Sequence, residues 1–283
     1  NYDAYSSGGT ASKVYEISTT FTEAMLYDLQ FTQSADVMYI VQESIPPRKL
    51  SRTGHTSWTL ADVAFTNGPY LDVNTTTTTL TPSSASTGSR NITASAVTGI
   101  NDGQGWLTSD VGRILKFNSG EAKITSRTNS TVVVATVTKA FTNSNAITEW
   151  QLGSWSATTG YPRTVSFFEQ RLVFGGSTYY PQTIWASQSG LYENFDAGDG
   201  SAADGFIYTI AANKVNVIRW LAPARDLIVG TAGGEFKVGK PAGEPLQPDN
   251  VQITQQTTYG GYTTQPIQIG NSILFLQRQR KKI

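Results

Sequence analysis

Apolar residues along this chain fall in short runs or in strict alternation, punctuated by Gly, Thr and Ser, a pattern of strands and tight turns. Ile114-Leu115-Lys116-Phe117, Ala122-Lys123-Ile124 and Thr131–Val137 alternate as half-buried strands do, and Val14-Tyr15-Glu16-Ile17 begins in the same way. Ile273-Leu274-Phe275-Leu276 is a continuous strand-like run near the other end. One segment breaks the rule. From Thr22 to Gln33, Ala24, Leu26, Tyr27 and Phe31 share a face at helical spacing, which predicts a helix there.

The strands recur. Val165–Gly190 (VSFFEQRLVFGGSTYYPQTIWASQSG) and Val217–Gly239 (VIRWLAPARDLIVGTAGGEFKVG) share an apolar strand, a short polar turn, a second apolar strand and then Gly before a third. Ile267–Gln277 opens another copy, and Asp36–Phe65 is a divergent earlier one. The first strands at Val165, Val217 and Ile267 stand 52 and 50 residues apart, whereas Val37 precedes Val165 by 128. Removing about 80 foreign residues restores the step of roughly 50, the length of a kelch-type propeller blade. That foreign stretch begins at the linker-like run Thr75–Thr79 and ends near Trp150–Trp155. The expectation is an all-β chain of β-propeller blades with a small β-barrel-like domain inserted. Residues 1–74 form the first propeller part, 75–155 the insert and 156–283 the second, truncated part. A β-sandwich with a coincidental period is the alternative.

Composition narrows the chemistry. Charged residues are 15% of the 283, against a norm near 25%, and the 21 basic residues balance the 21 acidic ones. No global charge points to nucleic acid or a membrane surface. Without cysteine there is no disulfide, thiolate nucleophile or thiolate metal site. No apolar run is long enough to span a membrane. The polar start, NYDAYSSGGT, and the end on QRQRKKI read as cuts through a longer polypeptide, so an interior fragment is expected.

Candidate catalytic residues are sparse. His55, the one histidine, sits in the turn-like RTGHTSW, where a solvated role is favoured over a general base. Asp196, Asp199 and Asp204 lie among glycines, but their spacing is not that of a calcium loop and the bidentate Glu is missing. Glu169, Glu193 and Asp196 would have to converge to make a glycosidase pair. The pairs Gly175-Gly176, Gly233-Gly234 and Gly260-Gly261 lack a phosphate-loop pattern. Arg278, Arg280, Lys281 and Lys282 could touch phosphates, though such a run also serves as a solvated edge. The sequons at Asn74, Asn91 and Asn129 matter only in a eukaryotic secretory context.

Two ordered blocks carry a resemblance. The first holds DLQFTQSADVMYIV, PPRKLSR at Pro46–Arg52, Trp58 and Leu60 as W-x-L, and NGPYLDVN at Asn67–Asn74. The second is GYPRTVSFFEQRLVFGGSTYYPQTIWASQSGLYENF, from Gly160 to Phe195, with Tyr161, Pro162, Arg171, Leu172, Trp185 and Ser187 as its signature. The chain from Thr22 to about Val238 thereby resembles the phage tail nozzle family, also called tail tubular protein B. The stretch around DVGRILKF, Asp110–Phe117, is similar to the small β-barrel often inserted there.

The resemblance implies a structural subunit in the virion tail. It would form a hexameric ring of propellers around a channel for DNA ejection, below an adaptor protein and bearing tail fibres or spikes. DNA would pass without tight binding, and no catalytic residue, cofactor or metal is implied. It further implies that Pro46, Pro47, Arg48, Leu50 and Arg52 shape a blade turn, that Trp58 and Trp185 are buried anchors, and that Arg171 ties loops together. The other readings are a propeller lectin or receptor reader displaying aromatics such as Tyr179 and Tyr180, and a propeller glycoside hydrolase.

Overall fold

A computed structural model of the chain describes residues 2–3, 12–13, 15–211, 216–244, 246–270 and 272–282. It is nearly all β, with 45% strand and 5% helix. A short pair, β1 (Tyr2–Asp3) and β2 (Ser12–Lys13), precedes the first sheet. That sheet is an antiparallel meander of β3 (Gln30–Ser34), β4 (Val37–Gln42), β5 (Ile45–Gly54) and β6 (Ser57–Asp62). Next come β7 (Leu80–Pro82), β8 (Gly88–Ala94), β9 (Ile114–Phe117), β10 (Gly120–Arg127), β11 (Val132–Lys139) and β12 (Trp150–Leu152), which make a six-stranded sheet in the order β12-β9-β10-β11-β8-β7. Two further meanders follow. One is β13 (Thr164–Phe168), β14 (Arg171–Gly175), β15 (Thr183–Ala186) and β16 (Phe206–Thr209), and the other is β17 (Ile218–Pro223), β18 (Leu227–Thr231), β19 (Glu235–Gly239) and β20 (Gln252–Thr257). The pair β21 (Ile267–Ile269) and β22 (Ser272–Leu274) comes last.

The two kinds of hydrophobic pattern correspond to two kinds of burial. In the six-stranded sheet, Val133, Ala135 and Val137 point into one core and their neighbours face outward, so the strand alternates. This sheet curls until Leu80 and Ile147 exchange backbone hydrogen bonds at 2.9 and 3.0 Å, closing around Ile92, Trp106, Leu115 and Phe117. The meander of β13–β16 is instead buried on both faces along β13, β14 and β15, while β16 is largely exposed. Leu172 and Phe174 of β14, with Trp185 of β15, pack toward the first sheet, while Val173, Ile184 and Ala186 pack toward β17–β20. A strand with a core on each side is buried at every position, which is why the apolar runs Leu172–Phe174 and Ile184–Ala186 show no alternation. At the first of these interfaces Phe65, Trp155, Phe174, Trp185 and Phe195 meet edge to face, with centroids 5.1–5.9 Å apart. Each such pair adds about 0.5–1.5 kcal/mol beyond its area.

Several local expectations are corrected. The helix over Thr22–Gln33 is a 3-10 segment at Glu23–Asp28 followed directly by β3. The five-residue ladder of β3 with β4 claims residues 30–34, and Leu26 and Tyr27 remain exposed. Val37 therefore starts a second strand, and the first copy of the repeat begins at Gln30. Residues 15–17 carry no strand, and Val14 lies outside the described residues.

Pro46, Pro47, Arg48, Leu50 and Arg52 do not form a turn. They lie in β5, where the register slips opposite Ile40–Gln42, and the two prolines occupy that irregularity, where a ladder N–H is not needed. The threonine run is no loose linker: Asn74 Nδ2 donates to the carbonyls of Thr76, Thr78 and Thr148, and its Oδ1 accepts from the Thr76 N–H.

The six-stranded unit is reached and left through one paired stalk. Leu71 N–H donates to Leu152 O, Asn74 N–H to Trp150 O and Ser154 N–H to Pro69 O, at 2.8–2.9 Å. Trp155, beyond the stalk, packs with Phe65 and Trp185 and so belongs to the meander core. Tyr70 and Gly153 face each other as an antiparallel bridge, and strand partners in such pairs lie only about 5 Å apart. Deleting residues 71–152 and joining these two through a short glycine linker should leave the meanders folded. Circular dichroism of the shortened chain should keep a cooperative β transition, and its loss would mean the two units fold as one.

Candidate functional site at the junctions between sheets

Some of the residues singled out in the sequence lie where the sheets meet, and others lie within the first sheet. On the first sheet Arg48 Nη1 reaches Asp62 at 2.8 Å across the β5–β6 ladder, and Leu50 faces Leu60. Arg52 pairs with Asp36 at 3.1 Å and lies over the Trp58 ring. Trp58 is only half-buried, and its indole N–H donates to His55 O at 3.1 Å in the exposed β5–β6 turn, so it is no core anchor. Toward the second sheet, Tyr161 N–H donates to Glu43 O at 3.0 Å, Pro162 is buried, and Arg163 pairs with Glu43. Glu193 accepts from Tyr39 at 2.9 Å and pairs with Lys49 at 2.6 Å. Burial and the Glu193 carboxylate together push the Tyr39 phenol upward, so it stays a neutral donor.

Arg171, Leu172, Trp185 and Ser187 form one knot. Leu172 N–H donates to Ser187 Oγ at 2.9 Å, and Ser187 N–H returns to Leu172 O at 3.0 Å. Arg171 is buried, and its guanidinium donates to the carbonyls of Ser187 at 2.6 Å and of Asp204 and Ala202 at 2.5 Å. Burial pulls its pKa down while Asp204 and Glu169 oppose that. Asp204 is occupied within its own loop, accepting from Ser201 N–H at 2.8 Å, from Ser201 Oγ and from the N–H groups of Asp199 and Gly200. These donors, Ser201 first, hold its carboxyl below the usual range. Glu169 pairs with Lys240 at 2.7 Å and Glu193 with Lys49, so two of the three carboxylates considered for glycoside chemistry are tied to separate partners. Among the described residues no cluster of three His, Cys, Asp or Glu side chains is arranged to hold a metal.

Two spaces open at these junctions. A cleft of about 460 Å³ separates the first sheet from the six-stranded unit, with Pro46, Phe65, Trp155 and Tyr161 on one wall and Ile114 and Lys123 on the other. A smaller space of about 150 Å³ lies where the meanders begin, lined by Asp28, Gln30, Glu43, Arg163, Arg219 and Thr263. There β13 packs against both β3 and β17, and the buried Gln30 amide donates to Arg219 O at 2.6 Å and Thr263 O at 3.0 Å.

Arg219 lies in a segment the sequence marked as a strand and Gln30 in one it marked as a helix, but nothing local marked them or Glu43 as meeting. Their partners lie as far as 233 residues away. Neither a family model nor a curated protein matches this sequence.

Proposed function

We propose that this chain is a structural subunit of a phage tail nozzle, its meanders serving as blades of a β-propeller and its assembled ring forming a conduit for DNA ejection. The observation that carries this reading is the convergence of first strands, with Gln30 of β3 bonded to the β17 backbone and to Thr263 before β21. Successive four-stranded meanders stacked face on face, each presenting its first strand to one common line, are what a blade arrangement requires. In this reading the six-stranded unit is an insertion on the outside, adaptor and fibre proteins are the partners, and no residue is catalytic. No helix of the described residues is long and apolar enough to cross a membrane.

Assembly state decides between a conduit and a receptor-reading lectin. Negative-stain micrographs of the purified protein should contain rings with a central hole, six subunits by the family analogy, and a population of monomers only would reject the conduit. The ring should also guide DNA without gripping it. Each neutralised phosphate adds salt-sensitive affinity, and the polar space at the strand convergence holds Asp28 and Glu43 against Arg163 and Arg219, with no basic excess. Duplex binding at about 150 mM salt should be weaker than about 1 μM, since non-specific contacts alone give roughly 10⁻⁴–10⁻⁶ M. Sub-micromolar binding would count against free passage.

A further inference from the structure

The six-stranded unit keeps its core to itself. All of that core's residues lie within 71–152, and none of them belongs to the two cores of the meanders. Outside the stalk, three side-chain hydrogen bonds cross between the unit and the meanders among the described residues. Ser109 Oγ meets Thr158 Oγ1 at 2.7 Å, Thr158 Oγ1 donates to Asp110 at 2.8 Å, and the Tyr179 hydroxyl donates to Asp102. All three fall on the side of the β13–β16 meander, and Tyr179 is 52% exposed. A small polar contact between two separate cores leaves relative motion as the expectation.

The side toward the first sheet is open. There the cleft of about 460 Å³ keeps the unit apart, and its two walls are complementary. Val111, 40% exposed, and Ile114 stand on the unit's wall, with Pro46 and Phe65 on that of the first sheet. Lys123 is exposed and has no carboxylate partner among the described residues, while the half-exposed Asp62 stands on the other wall beside Arg48. If the gap closed, apolar groups would meet apolar groups and the ammonium would meet a carboxylate.

We propose that the six-stranded unit is a hinged arm with two positions. In the observed one, Thr158 and Tyr179 latch it against the β13–β16 meander. In the other it swings about the stalk toward the first sheet, where Val111 and Ile114 cover Pro46 and Phe65 and Lys123 pairs with Asp62. The exchange trades polar contacts, which water largely replaces, for apolar surface removed from water. A partner that binds one position better than the other therefore selects it. The proposal stands apart from the conduit reading, because it needs neither a ring nor a channel.

The chain has no cysteine, so one introduced pair reports on the cleft alone. Ala64→Cys and Thr138→Cys are small changes at exposed positions on opposite walls. They close a disulfide under mild oxidant at a rate set by how often the walls come together, since the bond needs Cα atoms within about 7 Å. Adding Thr158→Val and Tyr179→Phe, which remove all three latch bonds, should speed closure by about tenfold or more, because each lost bond is worth severalfold in the equilibrium. Tyr179→Phe alone should give a smaller acceleration, and Lys123→Glu should cancel the gain by setting two carboxylates against each other. An unchanged or slower rate in the latch variants would overturn the proposal, and an acceleration that Lys123→Glu leaves intact would overturn the closed position. Loss of the cooperative β transition in circular dichroism on Tyr179→Phe alone would also overturn it, by making the latch part of the fold.

Discussion

Asp110→Ala should destabilise the protein by on the order of 3–5 kcal/mol, the usual cost of stripping one partner from a buried ion pair. Asp110 and Arg113 are both buried, and their side chains meet at 3.1 Å. The carboxylate also accepts from Leu107 N–H at 2.8 Å, from the Asn101 amide at 2.6 Å and from Thr158 Oγ1 at 2.8 Å. Arg113 Nε donates to Gly153 O at 2.8 Å, so the pair rivets the six-stranded unit to the stalk and to the segment that leads into β13. Burial pulls the Arg113 guanidinium down, and Asp110 is what opposes that. Urea unfolding of Asp110→Ala, Arg113→Met and the double variant forms a cycle. The double variant should recover much of the loss, because an apolar pair leaves no charge stranded. Strict additivity of the two single losses would show that the pair does not act as a unit.

Arg171→Met should cost a similar amount, on the order of 3–5 kcal/mol, by a different route. Here the guanidinium serves four backbone carbonyls, those of Ser187, Ala202, Ala203 and Asp204, and its removal leaves the buried Ser187 and Asp204 acceptors unmatched. The loop 196–204 should open first, and limited proteolysis with chemical denaturation would show it. If Arg171→Met is cleaved and unfolds like the parent chain, Arg171 is not what holds the loop. The same loop should be acid-sensitive. Asp204 is held below its unfolded value, so its contribution is complete above about pH 4 and is lost as the pH falls through the lowered folded value. Asp204→Asn should flatten that acid limb in a proteolysis-against-pH profile.

Element type was legible wherever the local pattern and the burial coincide. Val133, Ala135 and Val137 alternate because one face of their sheet is wet, and TIWA does not because β15 has a core on each side. The repeat step was legible for the same reason, since each meander repeats the same order of strand and turn. Misreadings arose where a distant partner decides the conformation. Residues 30–34 hold to β4 and not to their own turn, and the prolines of PPRKLSR look like a turn until the register of β4 against β5 provides an irregularity for them.

The sequence by itself therefore determined the β class, the positions of most strands and an inventory with no cysteine and one histidine, because these follow from side-chain periodicity and residue content within a few positions. Only the tertiary structure decided that Gln30 joins the beginnings of three sheet systems, that Asp110 and Arg113 lock the six-stranded unit in place, and which carbonyls Arg171, expected to tie loops together, reaches some thirty residues downstream. The partners in those contacts have no local signature. A buried guanidinium, carboxylate or amide is set by which distant carbonyls and donors the packed sheets bring within hydrogen-bond reach, and no spacing along the chain encodes that.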